Sequence, residues 1–323
     1  MKPPKRILRA LLAARRMALT SHLHPEGDSV GSALALGLAL QSLGKEPFVV
    51  FHHGIPRRFS YLPGQELVRL PSSPPDLMVL LDVSQRERAD LPERLKEATC
   101  PFLIVDHHPP SGEATVLSKM AWIEPQAAAT GEMVYHLIRS LKANITSQIA
   151  ACLYAALGAD TGFFRYTNTN PRVLRLAATL LEKGVDPWIA AYHGAEERSL
   201  QSVRLLSRML SRVRSHDGLS WSYCEPRDFH ITQTTDEDTE EFVNFLRAIE
   251  GTKVAVLFRN VEGRKVRISF RANGQVDVAA IARRFGGGGH PAAAGCRMEL
   301  SLKKAIPLVL SAVSEALEGL KQQ

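Results

Sequence analysis

The sequence predicts an α/β protein: an N-terminal domain with a mainly parallel sheet flanked by helices, and a smaller C-terminal α/β domain joined to it by a helical linker. Three observations predict it. Compact apolar runs closed by polar breaks recur at 17–20, 77–81 and 102–105, as expected of strands buried on both faces of a parallel sheet. Longer apolar, small-residue stretches of helical length alternate with them, at 30–43 and 145–157. A strand and helix pattern then restarts at residue 219. With 323 residues, the chain is long enough for two cores.

The elements follow in order. Residues 7–15 read as a short basic helix and 17–20 as a buried strand running into His22. A helix over 30–43 ends at Gly44, and 47–51 is a second strand candidate, followed by a loop rich in Pro, Gly and Arg up to 75. The runs 77–81 and 102–105 stop at Asp82 and Asp106. A helix over 145–157 leads into a polar loop, 158–169; the next, 171–183, has Pro171 at its start and Gly184 after its end. Residues 199–214 are arginine-rich, with Val203, Leu206, Met209, Leu210 and Val213 at helical spacing, and read as a connecting helix. A strand (219–223), an acidic-capped helix (236–249), two strands (254–258 and 266–270), a helix (276–285), a glycine run and a terminal helix (301–320) complete the chain. The expected domains are 1–190, a linker over 191–218, and 219–323.

Apolar residues make up 45% and charged residues 23%, which excludes a disordered chain. The net charge of +7 favours an anionic partner. It is carried by dispersed arginines, with no long basic block that would mark a nucleic-acid tail. Cys100, Cys152, Cys224 and Cys296 include no Cys-x-x-Cys pair, which argues against a zinc ribbon, a thioredoxin-like site or a disulfide scaffold. The basic N-terminus is interrupted by Arg9, Arg15 and Arg16 and lacks the apolar core of a signal peptide. No stretch reaches the apolar length of a membrane span. The expected location is the cytoplasm, with no membrane partner.

The strongest chemical signal is positional. The run at 17–20 leads to His22, Glu26 and Asp28. The run at 77–81 leads to Asp82, that at 102–105 to Asp106, His107 and His108, and the helix over 145–157 to Asp160. An aspartate after a strand is ordinarily a turn former or helix cap, so no one of these decides anything. Loops at the carboxyl ends of neighbouring parallel strands, however, converge on one crevice. Several carboxylates gathered there repel one another unless cations compensate. Carboxylate and imidazole ligands without thiolate suit Mn²⁺ or Mg²⁺, with Zn²⁺ or Co²⁺ next. A pair of such ions is a recurrent device for phosphoester hydrolysis.

These residues resemble the motifs of the DHH phosphoesterase superfamily. The first motif reads His22-Leu23-His24-Pro25-Glu26-Gly27-Asp28, followed by Gly31-Ser32; the second is Asp82 with Arg88 six residues on. The third is Asp106-His107-His108 with Pro109, and the fourth Asp160-Thr161-Gly162 with Phe163, Phe164, Arg165 and Tyr166. Towards the C-terminus, Gly286-Gly287-Gly288-Gly289-His290 followed by Pro291, Ala292–Ala294 and Gly295 resembles the DHH-associated substrate domain. The strand ending in Arg271 does too. The layout is most similar to the nanoRNase and pAp phosphatase group.

The resemblance implies two divalent metal ions, Mn²⁺ first, with Mg²⁺ or Co²⁺ as alternatives. His22, Glu26 and Asp82 would hold one; Asp28, Asp82, His107 and Asp160 would hold the other, with Asp82 bridging. His108 would sit beside the scissile phosphate, and Asp106 would orient a histidine. Arg88, Arg271, Gly288, Gly289 and His290 would hold substrate phosphates. The implied substrates are short RNA, dinucleotides or pAp, and a homodimer is left open. Glu26 departs from the family, which has Asp there; the added methylene displaces the carboxylate by roughly 1.5 Å.

The glycine run has its own rationale: backbone free of Cβ approaches a ligand closely, and successive N–H groups form an anion nest. Tyr166, Phe163 and Phe164 are candidates for stacking on bases. Two domains facing each other across a cleft would limit substrate length. The competing readings are a phosphodiesterase for signalling dinucleotides, a DHH-type inorganic pyrophosphatase, a single-strand DNA exonuclease of RecJ type, and a non-enzymatic RNA binder.

Overall fold

The computed structural model describes residues 1–23, 25–109, 120–260 and 265–321, so His24 of the first motif lies outside the described residues. The chain divides into two compact units, Met1–Glu197 and Arg198–Gln323.

The first unit runs α1 (Lys5–Ala13), β1 (Arg16–Thr20), α2 (Gly27–Ser42), β2 (Glu46–Val49), β3 (Leu77–Leu81), α3 (Glu93–Lys96), β4 (Phe102–Asp106), β5 (Ala121–Ile123), α4 (Thr130–Ser140), α5 (Ser147–Thr161), α6 (Pro171–Leu181) and α7 (Pro187–Ala191). The five strands form one parallel sheet in the order β2-β1-β3-β4-β5. Strand β3 is buried at every position, which is why its sequence reads as an unbroken apolar run rather than an alternation. Helix α2 is buried from Gly27 to Leu40, so it too is apolar on all sides. It packs against α5 through small residues: a Cβ on Gly31 would lie 2.4 Å from the Cys152 carbonyl oxygen. The Asn170 side chain caps α6, and Pro171 occupies the first turn, as the sequence predicts.

The second unit runs α8 (Leu200–Leu210), β6 (Arg214–His216), β7 (Leu219–Cys224), α9 (Pro226–Thr232), α10 (Phe242–Arg247), β8 (Val254–Asn260), β9 (Val266–Ala272), α11 (Val278–Arg283), β10 (Gly288–His290), β11 (Ala293–Met298) and α12 (Leu302–Lys321). Its six-stranded mixed sheet has the order β10-β11-β9-β8-β7-β6. One cluster, around Val256, Phe258 and Phe270, packs with α11 and α12; another joins Leu257 to Phe242 and to Leu205 and Met209 of α8. Thus α8 and β6, in the segment read as a helical linker, pack within this unit.

Two expectations need correction. Helix α5 continues to Thr161, so Asp160 stands in its last turn rather than in a loop; Gly162, at φ 57°, supplies the stop. The helix expected over 236–249 is broken. A 3-10 turn (Asp236–Thr239) is locked by the reciprocal Thr235–Asp238 cap, and Glu241 at φ 63° separates it from α10.

Candidate metal centre

Because β1, β3 and β4 are parallel neighbours, their carboxyl ends open on one edge. Strand β1 feeds His22, β3 feeds Asp82, and β4 ends in Asp106, followed by His107 and His108. Helix α2 presents Asp28 in its first turn, and the last turn of α5 presents Asp160. The His107 Nε2 atom lies 3.0 Å from Asp160 Oδ2, 3.7 Å from Asp82 Oδ1 and 3.9 Å from Asp28 Oδ2. Asp82 adopts φ 58°, a left-handed conformation rare for a residue with a Cβ. Such strain persists where surroundings over-determine it, commonly at functional sites.

The imidazoles are oriented from behind. His107 Nδ1 faces the Ala127 carbonyl at 3.2 Å, and His22 Nδ1 faces the Leu23 carbonyl at 2.9 Å. A carbonyl accepts only, so each Nδ1 carries a hydrogen and each Nε2 is turned toward carboxylates. This is the arrangement in which histidine ligates a metal. His108 differs: its Nδ1 donates to Asp106 Oδ1 at 2.8 Å, and its backbone N–H donates to the same oxygen at 3.0 Å. Its Nε2 is therefore the ring edge opposite Asp106.

Electrostatics mark the cluster as cation-seeking. Asp28 is fully buried. Burial and the neighbouring charges of Asp82 and Asp160 push its carboxyl well above the usual range, although the His107 charge and the Gly131 N–H oppose this. Burial also acts to raise Asp82, but the His22 hydrogen bond and the charges of His108, His22 and His107 outweigh it and hold Asp82 well below. Burial alone would lower His107; the hydrogen bond to Asp160 and the charges of Asp28, Asp160 and Asp82 raise it to about 10. His22 is raised in the same way, to about 9, by Asp82. No lysine or arginine is among these strongest influences. Two donor sets, Asp28-His107-Asp160 and Asp82-His107-His108, each bring their ligand atoms within 4.8 Å of one another. Hard oxygen donors mixed with imidazole nitrogens fit a divalent ion.

The remaining predicted residues fall in several places. Glu26 is exposed at the N-cap of α2; its charge acts on His22, and it belongs to neither donor set. Arg88 is exposed in a 3-10 turn (Arg86–Arg88), tied beside His22 by the Leu23 N–H, which donates to the Arg88 carbonyl. In the second unit the glycine run forms β10, hairpinned to β11. Register aligns Arg271 with Ala293, and Ala293 with His290, placing Arg271 and His290 on one face two strands apart. Gly288, also in β10, is exposed. Gly289 takes φ 138°, and a Cβ there would lie 2.5 Å from the Ala293 carbonyl oxygen.

Sequence reasoning missed the groups that fix the carboxylates. Ser29 Oγ donates to Asp82 Oδ2 at 2.7 Å and lies 2.9 Å from His22 Nε2. The N–H groups of Thr130 and Gly131, opening α4, donate to Asp28 at 2.6 and 2.8 Å, and Thr130 Oγ1 donates to Asp82 at 3.2 Å. A helix N-terminus favours a carboxylate there. Ser32 Oγ donates to Asp28 at 3.0 Å, so Gly31-Ser32 couples a close helix approach to a hydrogen bond on Asp28.

Residues 16–157 match the DHH family, N-terminal domain, and residues 229–319 match the DHHA1 domain. The chain is 35% identical to a Thermus thermophilus protein named bifunctional oligoribonuclease and PAP phosphatase NrnA, over 93% of this chain and 89% of that one. It is 26% identical to the Bacillus subtilis protein of the same name, over 90% and 91%. The fold is shared with the crystal structure of an exopolyphosphatase-related protein from Bacteroides fragilis: TM-score 0.87, 22% identity, 99% and 97% coverage. The chain belongs to the metal-dependent DHH phosphoesterase family, in the NrnA-like group that couples a DHH domain to a DHHA1 domain.

Proposed function

We propose that the chain hydrolyses short oligoribonucleotides and dinucleotides to mononucleotides, and pAp to AMP, with two divalent ions, Mn²⁺ by preference. One observation carries this reading. Three carboxylates converge on His107, whose Nε2 is aimed at them by a backbone carbonyl. The names of the relatives point to the same chemistry.

In this reading His22, Asp28, Asp82, His107 and Asp160 would hold the ions, with Glu26 at the margin beside His22. Bound ions would supply an activated water and charge compensation at the phosphoryl oxygens. His108 donates from Nε2 to the scissile phosphate. Burial works against its charged form, but the hydrogen bond to Asp106 and the charges of Asp82 and Asp106 raise it, keeping a proton available. Arg88 offers a fork for a phosphate. In the second unit, Arg271, His290 and the backbone at Gly288 and Gly289 would bind phosphate.

The test is a product time course on 5′-labelled RNAs of two to seven nucleotides beside pAp, with Mn²⁺ and with a chelator. Mononucleotides and AMP should appear only with the metal. Absence of turnover on every substrate with Mn²⁺ defeats the proposal.

A further inference from the structure

A second histidine–carboxylate pair lies at the same edge of the parallel sheet, outside the metal-binding set. Asp90 is buried, with its side chain 2% exposed, whereas the His53 side chain is 65% exposed. Asp90 Oδ1 lies 3.0 Å from His53 Nδ1, and Oδ2 accepts the His53 backbone N–H at 3.4 Å. Asp90 is anchored in turn. Its N–H donates to the Ser21 carbonyl at 2.7 Å, and its own carbonyl accepts from His52 N–H at 3.2 Å and from Thr20 Oγ1 at 3.4 Å. The preceding residue, Ala89, bridges His22. Asp90 thus bonds the residue just before His22 on one side and the His52–His53 segment on the other.

An ionised carboxylate only accepts, so Nδ1 of His53 carries the hydrogen. In the neutral ring Nε2 is then a fixed, exposed acceptor. Such an atom suits a hydroxyl donor and offers nothing to an ionised phosphate. On a nucleotide whose phosphate occupies the neighbouring centre, the 2′-hydroxyl is the donor that distinguishes RNA from DNA. We propose that His53, oriented by Asp90, accepts a hydrogen bond from the substrate's ribose 2′-hydroxyl and so favours RNA over DNA. This specificity role rests on the phosphoesterase reading above.

The test compares kcat/KM at pH 8 with Mn²⁺ on 5′-phosphorylated ribo- and deoxyribo-dinucleotides of adenine and of uracil or thymine. The substitutions are His53→Phe, which keeps a planar ring, and His53→Gln, which keeps a carbonyl acceptor. Wild type should prefer the ribonucleotides. His53→Phe should lower the ribo-to-deoxyribo ratio about tenfold, the effect of one lost hydrogen bond, and His53→Gln should restore part of it. An unchanged ratio, equal losses on both sugars, or a loss that follows the base rather than the sugar would overturn the assignment while leaving the phosphoesterase reading intact. If wild type cleaves no dinucleotide, both fail together.

Discussion

Two buried aspartates, one in each unit, show opposite responses to burial. In the second unit Asp228 is fully buried. It receives Arg208 Nε at 2.6 Å, Arg212 Nη2 at 2.8 Å, a further bond from Arg212 Nη1, and the Glu225 N–H at 2.9 Å. Burial acts to raise its carboxyl, but the bonds from Arg212, Glu225 and Arg208 win and hold it at about 2. In the first unit Asp28 is equally buried, yet its nearest charges include two more carboxylates, and it is driven upward. One cluster is closed by its own cations and fixes a fold. The other has only titratable histidines to set against its carboxylates, a donor set that could hold a metal ion.

Substitution should separate the two most sharply. Replacing Asp82 by Ala should cut Mn²⁺-dependent turnover by about 10²–10³-fold or more while leaving the circular dichroism spectrum and melting temperature near wild type; preserved turnover would misplace the centre. Replacing Asp228 by Ala should cost about 3 kcal/mol in denaturant unfolding, because two arginines lose a buried partner. Asp160→Asn should do the reverse in metal-free protein. One of three mutually repelling carboxylates disappears, so stability should hold or rise, while Mn²⁺ affinity falls by about 10–100-fold. A metal-free Asp160→Asn protein that melts well below wild type would erase the distinction.

These contrasts also indicate what was legible in the sequence. Strands β1, β3 and β4 were readable because burial on both faces leaves unbroken apolar runs ending in acids and histidines. Asp28, Asp82, His107 and Asp160 were readable because their spacing matches a known motif order. Thr130 was not: its bond to Asp28 spans 102 residues, and no local pattern encodes such a pairing. Helix α4 did leave a signal, with Met133, Val134, Leu137 and Ile138 buried at helical spacing. The break at Glu241 escaped because an acidic run reads as one capped helix. The Thr235 cap and the left-handed residue that divide it are properties of backbone geometry.

Titration offers two smaller tests. In metal-free protein His22 and His107 hold protons up to about 9 and about 10, and ligation through Nε2 requires the neutral ring. Metal binding near pH 7.5 should therefore release protons and strengthen as pH rises. Calorimetry in buffers of different ionisation enthalpy reads this directly; binding without proton release would contradict it. Asp228 has a depressed carboxyl, so it binds fewer protons folded than unfolded. Its contribution, about 2 kcal/mol, is fully present above pH 4 and is lost as pH falls toward 2. The stability gap between wild type and Asp228→Ala should narrow by that amount over this window.

The central claim is that carboxylates and imidazoles at the ends of β1, β3 and β4 form a two-ion centre. Anomalous scattering from crystals soaked in Mn²⁺ tests it most directly. The account predicts two peaks about 3.5–4 Å apart, one ligated by Asp28, Asp82, His107 and Asp160 and the other sharing Asp82 with His22. Manganese bound elsewhere, or no peak within reach of Asp82, would contradict it.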